Sequence, residues 1–366
     1  MDWNQGYSAN YIVSEVDPAT WRDRAPIDIT GGSISKSTDG MMESADVDTT
    51  QNLGEKWVRI WLYARQGDDG DRAALFTGLL QTPGVSWDGT RDSYSAECYS
   101  VLKPAADILL PRGYYVLGGT NGAKAVARLL SVSPAPVEYE DTAPALMETL
   151  VAEDSETNLS MAWKVLNAIG WRIRITGKGI IQLKPQPLTV QMRFDSREND
   201  IIEPSVKDTQ DLYSCPNVFR ATSGDLTAIA KDEDDNSPLS IKARGREIWA
   251  QDTNAALNNG ESVAEYARRR LGELQSPARQ INYSRRFLPD LYPGDIVLIR
   301  NAEQGINGEF RITEQKIELG YSARTDENVV QTRDVKRPER IIQTGDTRGV
   351  VDYGQVGFAI VGKETA

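Results

Sequence analysis

The chain has 366 residues, enough for two domains or slightly more at about 150 residues each, and with 40% hydrophobic and 26% charged residues wholesale disorder is excluded. A formal net charge of −12, from 41 Lys and Arg against 53 Asp and Glu, argues against tight electrostatic binding to DNA, RNA or an anionic membrane, which needs a basic footprint. Histidine is absent, which excludes Ser-His-Asp and Cys-His catalysis, HExxH motifs and His-rich metal sites within this chain.

In chain order, Met1 to Asn10 is polar and lacks a charged-then-apolar layout, so no signal peptide is expected. No apolar stretch approaches the ~18 residues of a spanning helix, so no membrane span is expected either. Residues 1–99 read as strands and turns. Segment Trp57–Tyr63 alternates, with Val58, Ile60 and Leu62 on one face and Trp57, Arg59, Trp61 and Tyr63 on the other. Asp/Gly turns follow at 66–71 and at Asp88-Gly89. From residue 100 the pattern turns helical. A short apolar helix is predicted from Val101 to Leu110, and another capped by Thr120 with Ala123, Val126, Ala127 and Leu130 on one face. A third is expected to open at Thr142 and Pro144. The clearest starts at Asn158, where Leu159, Ala162, Trp163, Leu166 and Ile169 form a stripe ended by Gly170. Trp171–Thr176 and Ile180–Leu183 then flank Gly177-Lys-Gly179 as a hairpin.

Strands return over Thr189–Phe194, Val218–Thr222, Leu226–Lys231 and Ser240–Ala243. Ser262-Val-Ala-Glu265 is a capping box opening a helix with the stripe Val263, Tyr266, Ala267, Leu271 and Leu274, ended by Pro277. Gln280–Phe287, Asp295–Arg300, Glu309–Leu319 and Asn328–Val335 read as four strands, and the tail after Pro338 is Gly- and charge-rich.

Candidate chemistry is sparse. Gly118-Gly-Thr-Asn-Gly122-Ala-Lys124 lacks phosphate-loop spacing and reads as a helix-start loop. Ser33-Ile-Ser-Lys36 matches an acyl-serine pattern, but Gly31-Gly32 and the Ile29/Ile34 alternation favour extended chain, which turns the two side chains apart. The acidic runs at 68–71 and 232–235 lack calcium-loop spacing and read as solvated turns. Cys98 and Cys215 have no CxxC spacing and read as reduced thiols. No catalytic, cofactor or metal residue is nominated. The strongest polar feature is the face of Trp57, Arg59, Trp61 and Tyr63: a subunit interface, a strand covered by the chain's own elements, or a sugar-stacking platform.

The order of parts resembles a known family. A strand-rich start is followed by Cys98-Tyr-Ser-Val-Leu-Lys-Pro-Ala-Ala-Asp-Ile-Leu-Leu110, a helical insertion with Ser155-Glu-Thr-Asn-Leu159 and Ala168-Ile-Gly-Trp171, and the Gly177-Lys-Gly-Ile180-Ile-Gln-Leu183 hairpin. Leu291-Tyr-Pro-Gly-Asp295-Ile-Val-Leu298 and Gly305-Ile-Asn-Gly308-Glu-Phe-Arg-Ile312 come later. Over about residues 20–337 this resembles the baseplate or tail-tip hub proteins of tailed bacteriophages and contractile injection machines.

The resemblance implies an α+β, mostly β fold with two small antiparallel β-barrel tube domains and an inserted helical block. The expected division is 1–99 (first tube domain, N-terminal part), 100–187 (helical insertion ending in a hairpin), 188–250 (β segments completing or linking the barrels), 251–337 (helix plus second tube domain) and 338–366 (C-terminal extension). It further implies a non-enzymatic homotrimer in the virion, assembled in the host cytoplasm. Its ring would join the tail tube or distal tail protein to a spike or fibre-bearing tip, and would pass DNA and the tape-measure protein without specific binding. Rival readings are a carboxylate-dependent cell-wall glycosidase, for which no sequence feature nominates the acid pair, and a carbohydrate-binding adhesion module.

Overall fold

A computed structural model describes residues 1–49, 53–81, 84–87, 92–195, 207–209, 213–223, 226–235, 237–253, 255, 262–275, 279–321, 323–332, 340–343 and 349–352. The Asp88-Gly89 turn, Pro277 and Pro338 lie outside them. The fold is mostly β, with 49% of the described residues in strands and 14% in helices. Two compact units divide the chain: residues 1–207 with 281–330, and residues 208–280 with 331–366.

The first unit opens with eight strands: β1 (Ser8–Val16), β2 (Asp23–Ile27), β3 (Ile29–Ser37), β4 (Glu43–Thr49), β5 (Lys56–Gln66), β6 (Asp69–Leu80), β7 (Gly84–Trp87) and β8 (Asp92–Ser100). The helical block follows: α1 (Lys103–Asp107), β9 (Tyr115–Val116), α2 (Gly122–Leu130), β10 (Val137–Tyr139), β11 (Leu150–Val151), α3 (Asn158–Ile169), β12 (Trp171–Ile175) and β13 (Ile181–Pro185). The strand β14 (Val190–Asp195) leads towards the second unit. That unit holds β16 (Val218–Ser223), β17 (Leu226–Lys231), α4 (Ile241–Arg244), β18 (Trp249–Asp252) and α5 (Val263–Leu274), with the short β15 (Lys207–Thr209) at its boundary. The chain returns to the first unit through β19 (Gln280–Arg286), β20 (Ile296–Asn301), β21 (Ile306–Glu318) and β22 (Arg324–Gln331). A hairpin of β23 (Arg340–Gln343) and β24 (Gly349–Asp352) lies in the extension.

The strand order of the first unit is β19-β22-β21-β3-β4-β8-β6-β5-β1-β2, with β20 pairing β21 and β14, and β7 pairing β8. Two sequence-distant strand groups are thus one sheet, joined where Glu314–Glu318 of β21 pairs antiparallel with Ser33–Ser37 of β3. Each group has its own apolar core. Val58, Ile60, Leu62, Phe76 and Ile34 fill one, and Phe194, Val297, Ile299, Phe310 and Ile312 the other. Each such side chain contributes about 1.5–3 kcal/mol on burial. Among the described residues the ladders do not close into barrels, so the mostly β part of the expectation is borne out and the barrel part is not. The sheet curls instead, and the Ala9 N–H donates to the Tyr321 carbonyl at 3.2 Å. Among the registers described in this sheet only β14 with β20 run parallel, and in the helical block β10 runs parallel to β13.

The helical block has a core of its own, from Leu102 and Val126 through Met161, Val165 and Leu166 to Ile173 and Leu183. The clearest predicted helix is α3. Thr157 and Ser160 form a reciprocal capping box, and Gly170 ends it in the left-handed conformation. Three expectations are corrected. Asn121, not Thr120, caps α2, its Oδ1 accepting from the Lys124 N–H at 2.9 Å. No helix opens at Thr142–Pro144, because the Asn121 side-chain amide donates to the Asp141 and Ala143 carbonyls and holds that segment against the start of α2. The apolar helix at 101–110 shortens to α1, and the chain from Ile108 is extended.

In the second unit β17-β16-β18 form a sheet whose Phe219, Ala221 and Ala230 pack on Val263, Tyr266, Ala267 and Leu271 of α5. The helix therefore belongs with these strands in one compact unit. Ser240–Ala243 is not a strand: Ser240 accepts from the Ala243 N–H at 3.2 Å and caps α4. No described helix is long and apolar enough to cross a membrane.

Candidate functional site

The polar face of β5 leads to the joint between the strands and the helical block. Val58, Ile60 and Leu62 point into the core as expected. On the other face Arg59 is 5% exposed and Trp61 7%, while Trp57 and Tyr63 are half-buried. Arg59 donates through Nε to Thr77 Oγ1 at 2.9 Å, through Nη1 to Asp23 Oδ1 at 2.6 Å and through Nη2 to the Lys178 carbonyl at 3.0 Å. Burial lowers its pKa, an effect that Asp23 opposes. Trp61 Nε1 donates to the other Asp23 oxygen at 2.9 Å, and the Arg72 guanidinium sits 4.8 Å from the centre of its ring. Trp57 meets Trp21 at 5.5 Å between ring centres. Arg59 and Trp61 are therefore covered by the chain's own elements, while Trp57 and Tyr63 keep part of their surface exposed.

The cover is the β12–β13 hairpin. Thr77 Oγ1 donates to the Gly177 carbonyl at 2.8 Å, and Trp21 Nε1 to that of Lys178 at 2.8 Å. A Cβ at Gly177 would stand 1.7 Å from the Ala74 carbonyl oxygen, so only glycine permits this approach. Two further ties fix the block. Trp163 Nε1 donates to the Gly40 carbonyl at 3.2 Å in the β3–β4 turn. Arg172 Nη2 donates to Asp295 Oδ1 at 2.7 Å and Nη1 to the Pro293 carbonyl at 3.0 Å, with both side chains nearly buried. Asp295 also accepts from the Tyr292 N–H at 3.0 Å.

Other buried charges lie within the strand groups. Glu327, on β22, takes Arg285 Nε at 2.9 Å and is also reached by Arg285 Nη2 and Gln315 Nε2. Lys36 of the Ser-x-x-Lys pattern is extended and buried, and pairs with Glu43 at 3.4 Å. It is a structural cation rather than a base. Burial pushes the Glu43 carboxyl up to about 7, against the opposing pull of Lys36. Cys98 and Cys215 are buried free thiols, and burial raises the pKa of Cys98. Of the acidic runs, only Asp68 of 68–71 lies in the turn, since Asp69–Asp71 open β6 and correct that expectation, and Asp71 accepts from Trp3 Nε1 at 3.1 Å; in 232–235 Asp232 accepts from Ser237 Oγ at 2.7 Å. Among the described residues no group of three or more Asp, Glu or Cys is placed to hold a metal ion.

These ties fix the helical block to the strands. Apolar surface is left on the block itself: Tyr115 and Val151, paired across β9 and β11, are exposed together with Leu117 and the 98% exposed Met147. Val85 and Trp87 are exposed on β7. No sequence period predicted either patch.

No family model matches the sequence, and no curated protein matches it. Solved structures do. A tail protein from Neisseria meningitidis MC58 is 14% identical, with 89% of this chain and 97% of that chain covered and a TM-score of 0.63. The 43 kDa tail protein of prophage MuSo2 from Shewanella oneidensis is 11% identical, with 87% and 97% covered and a TM-score of 0.61. A chain of the Francisella PdpA–VgrG complex is 5% identical, with 89% and 53% covered and a TM-score of 0.55. At these identities the likeness is one of fold.

Proposed function

From the fold that this chain has in common with phage tail proteins, which bears out the hub resemblance at the level of fold, we propose that it is a structural, non-enzymatic hub of a phage-tail baseplate or tail tip. The observation that carries this reading is the near-complete coverage of those tail proteins in both directions, with two strand groups and a helical block in one chain. In this reading each strand group is a tube module, although its ladder stays open, and three copies form a ring of six modules. The ring joins the tail tube or distal tail protein to a spike or fibre-bearing tip, and it resides in the virion after assembly in the host cytoplasm. A spike partner is supported by the likeness to a chain from a VgrG-containing complex. With net charge −12, a lumen lined by this chain repels phosphate, so DNA and tape-measure protein pass without being held.

Light scattering on the purified chain, followed by negative-stain imaging, tests the reading. A mass of three chains and a ring with a hole wide enough for duplex DNA supports it. A monomer at every concentration, with and without a tail-tube protein, overturns it.

A further inference from the structure

One cavity stands where the helical block, the β3–β4 turn and the turn before β20 meet within the first unit. Its volume is about 540 Å³, and its walls include Met42, Trp163, Trp171 and Ile173, with Asn167 and Gln186 at its edge. Two guanidinium groups line it, Arg172 and Arg311. Among the described residues only one of them makes an ion pair. Asp295 pairs with Arg172, whereas Arg311 donates only to neutral oxygens: the Gly294 carbonyl at 2.8 Å, the Pro187 carbonyl at 3.3 Å and Gln186 Oε1 at 3.4 Å. Arg172 is 8% exposed, and its Nε is buried with no acceptor among the described residues. Asp39, exposed in the β3–β4 turn, lines the cavity but pairs with neither guanidinium among the described residues. Burial, and then the neighbouring Arg172, lower the pKa of Arg311, and the Asp295 carboxylate works against them. The cavity also needs Gly294, which has φ +89°, since a Cβ there would lie 1.8 Å from Arg172 Nη1.

We propose that this cavity docks an acidic peptide segment of a partner protein. An Asp or Glu carboxylate of that segment takes Arg311, and an adjacent apolar side chain rests on Trp163 and Trp171. Charge complementarity names the occupant. A carboxylate gives Arg311 the ion pair it does not make among the described residues, and Arg forms fork-like pairs with carboxylates. The indole and aliphatic walls suit a flanking apolar side chain and give a bare inorganic anion nothing to rest on. The inference stands apart from the ring: it concerns one chain, whatever its oligomeric state.

Calorimetric titration of the full chain with the blocked peptide acetyl-Glu-Leu-Glu-Leu-amide, its Gln counterpart and inorganic phosphate tests it. The Glu peptide is expected to bind with a Kd of about 1 mM or tighter. The Gln peptide, and Arg311→Gln titrated with the Glu peptide, are each expected to bind about tenfold more weakly, as the loss of a charge-assisted pair requires. Phosphate is expected to compete poorly. Equal binding of the Gln peptide, full competition by phosphate, an unaffected Arg311→Gln or no binding of the Glu peptide overturns the proposal. If Arg311→Gln fails to fold, Trp163→Phe serves in its place, and an unchanged affinity for the Glu peptide then overturns it.

Discussion

The Arg172–Asp295 pair offers the sharpest test of how the helical block is held. Their side chains are 9% and 4% exposed and meet at 2.7 Å, across 123 residues of sequence. Removing either partner leaves the other charge in a place water hardly reaches, at a cost of about 3–5 kcal/mol. Arg172→Met strands the Asp295 carboxylate on the Tyr292 N–H alone. Asp295→Ala strands the guanidinium on the Pro293 carbonyl. The double variant removes both charges, so its cost should fall well short of the sum of the single costs. A double-mutant cycle by urea unfolding is expected to give a coupling of about 2 kcal/mol or more. Hydrogen exchange in the single variants should quicken in α3 and β12 before it does in β5. A coupling under about 0.5 kcal/mol would refute the argument, since it would mean that water screens the pair as it does at a surface.

Four further outcomes follow from the same geometry. Glu43 titrates near 7 in the fold against 4.5 when unfolded, so the folded state binds more protons between those values and stability falls as pH rises through them, by about 3 kcal/mol at most; Glu43→Gln should flatten this slope in urea midpoints taken at pH 5 and pH 8. Gly177→Ala drives a methyl into the Ala74 carbonyl and should cost about 1–3 kcal/mol or more, with faster exchange in the β12–β13 hairpin. Glu327→Leu alone should cost about 3–5 kcal/mol by stranding Arg285, and adding Arg285→Met should recover most of it in thermal melts. Trp61→Ala should lower stability by about 3–5 kcal/mol, because that ring is buried within the chain; a variant of unchanged stability that loses only oligomerisation would contradict the covered face.

What the sequence disclosed follows how local each cause is. The alternation of β5, the stripe of α3 and the Ser262–Glu265 capping box are written within a dozen residues, and each appears in the fold. Ser240 and Gly245 also mark both ends of α4, but a helix of four residues leaves no stripe, so the segment reads as a strand. Gly177 is legible as a turn residue. Its closeness to Ala74 is not, because the contact spans about a hundred residues of sequence. The same distance hides Arg172 with Asp295 and Arg311 beside Gly294: no pattern in the sequence says which charge meets which. Barrel closure has the same character, since it depends on pairing between remote strand edges.

The kinds of contact in the two places differ for a physical reason. Within each strand group the core is mostly apolar, with the buried pairs Lys36–Glu43 and Arg285–Glu327 set among it, and its apolar part has no preferred direction. Across the joint the ties are directional: Arg59 to the Lys178 carbonyl, Thr77 to Gly177, Trp163 to Gly40 and Arg172 to Asp295. A guanidinium held by two acceptors loses both if the hairpin shifts by a residue, so these contacts set an orientation more than they add net stability. Replacing such a joint with apolar residues of equal volume should therefore leave the unfolding free energy nearly unchanged and loosen the block. On the hub reading proposed above, a chain with neighbours on two sides needs that orientation, and its assembly would lose order through the joint before the chain lost its fold.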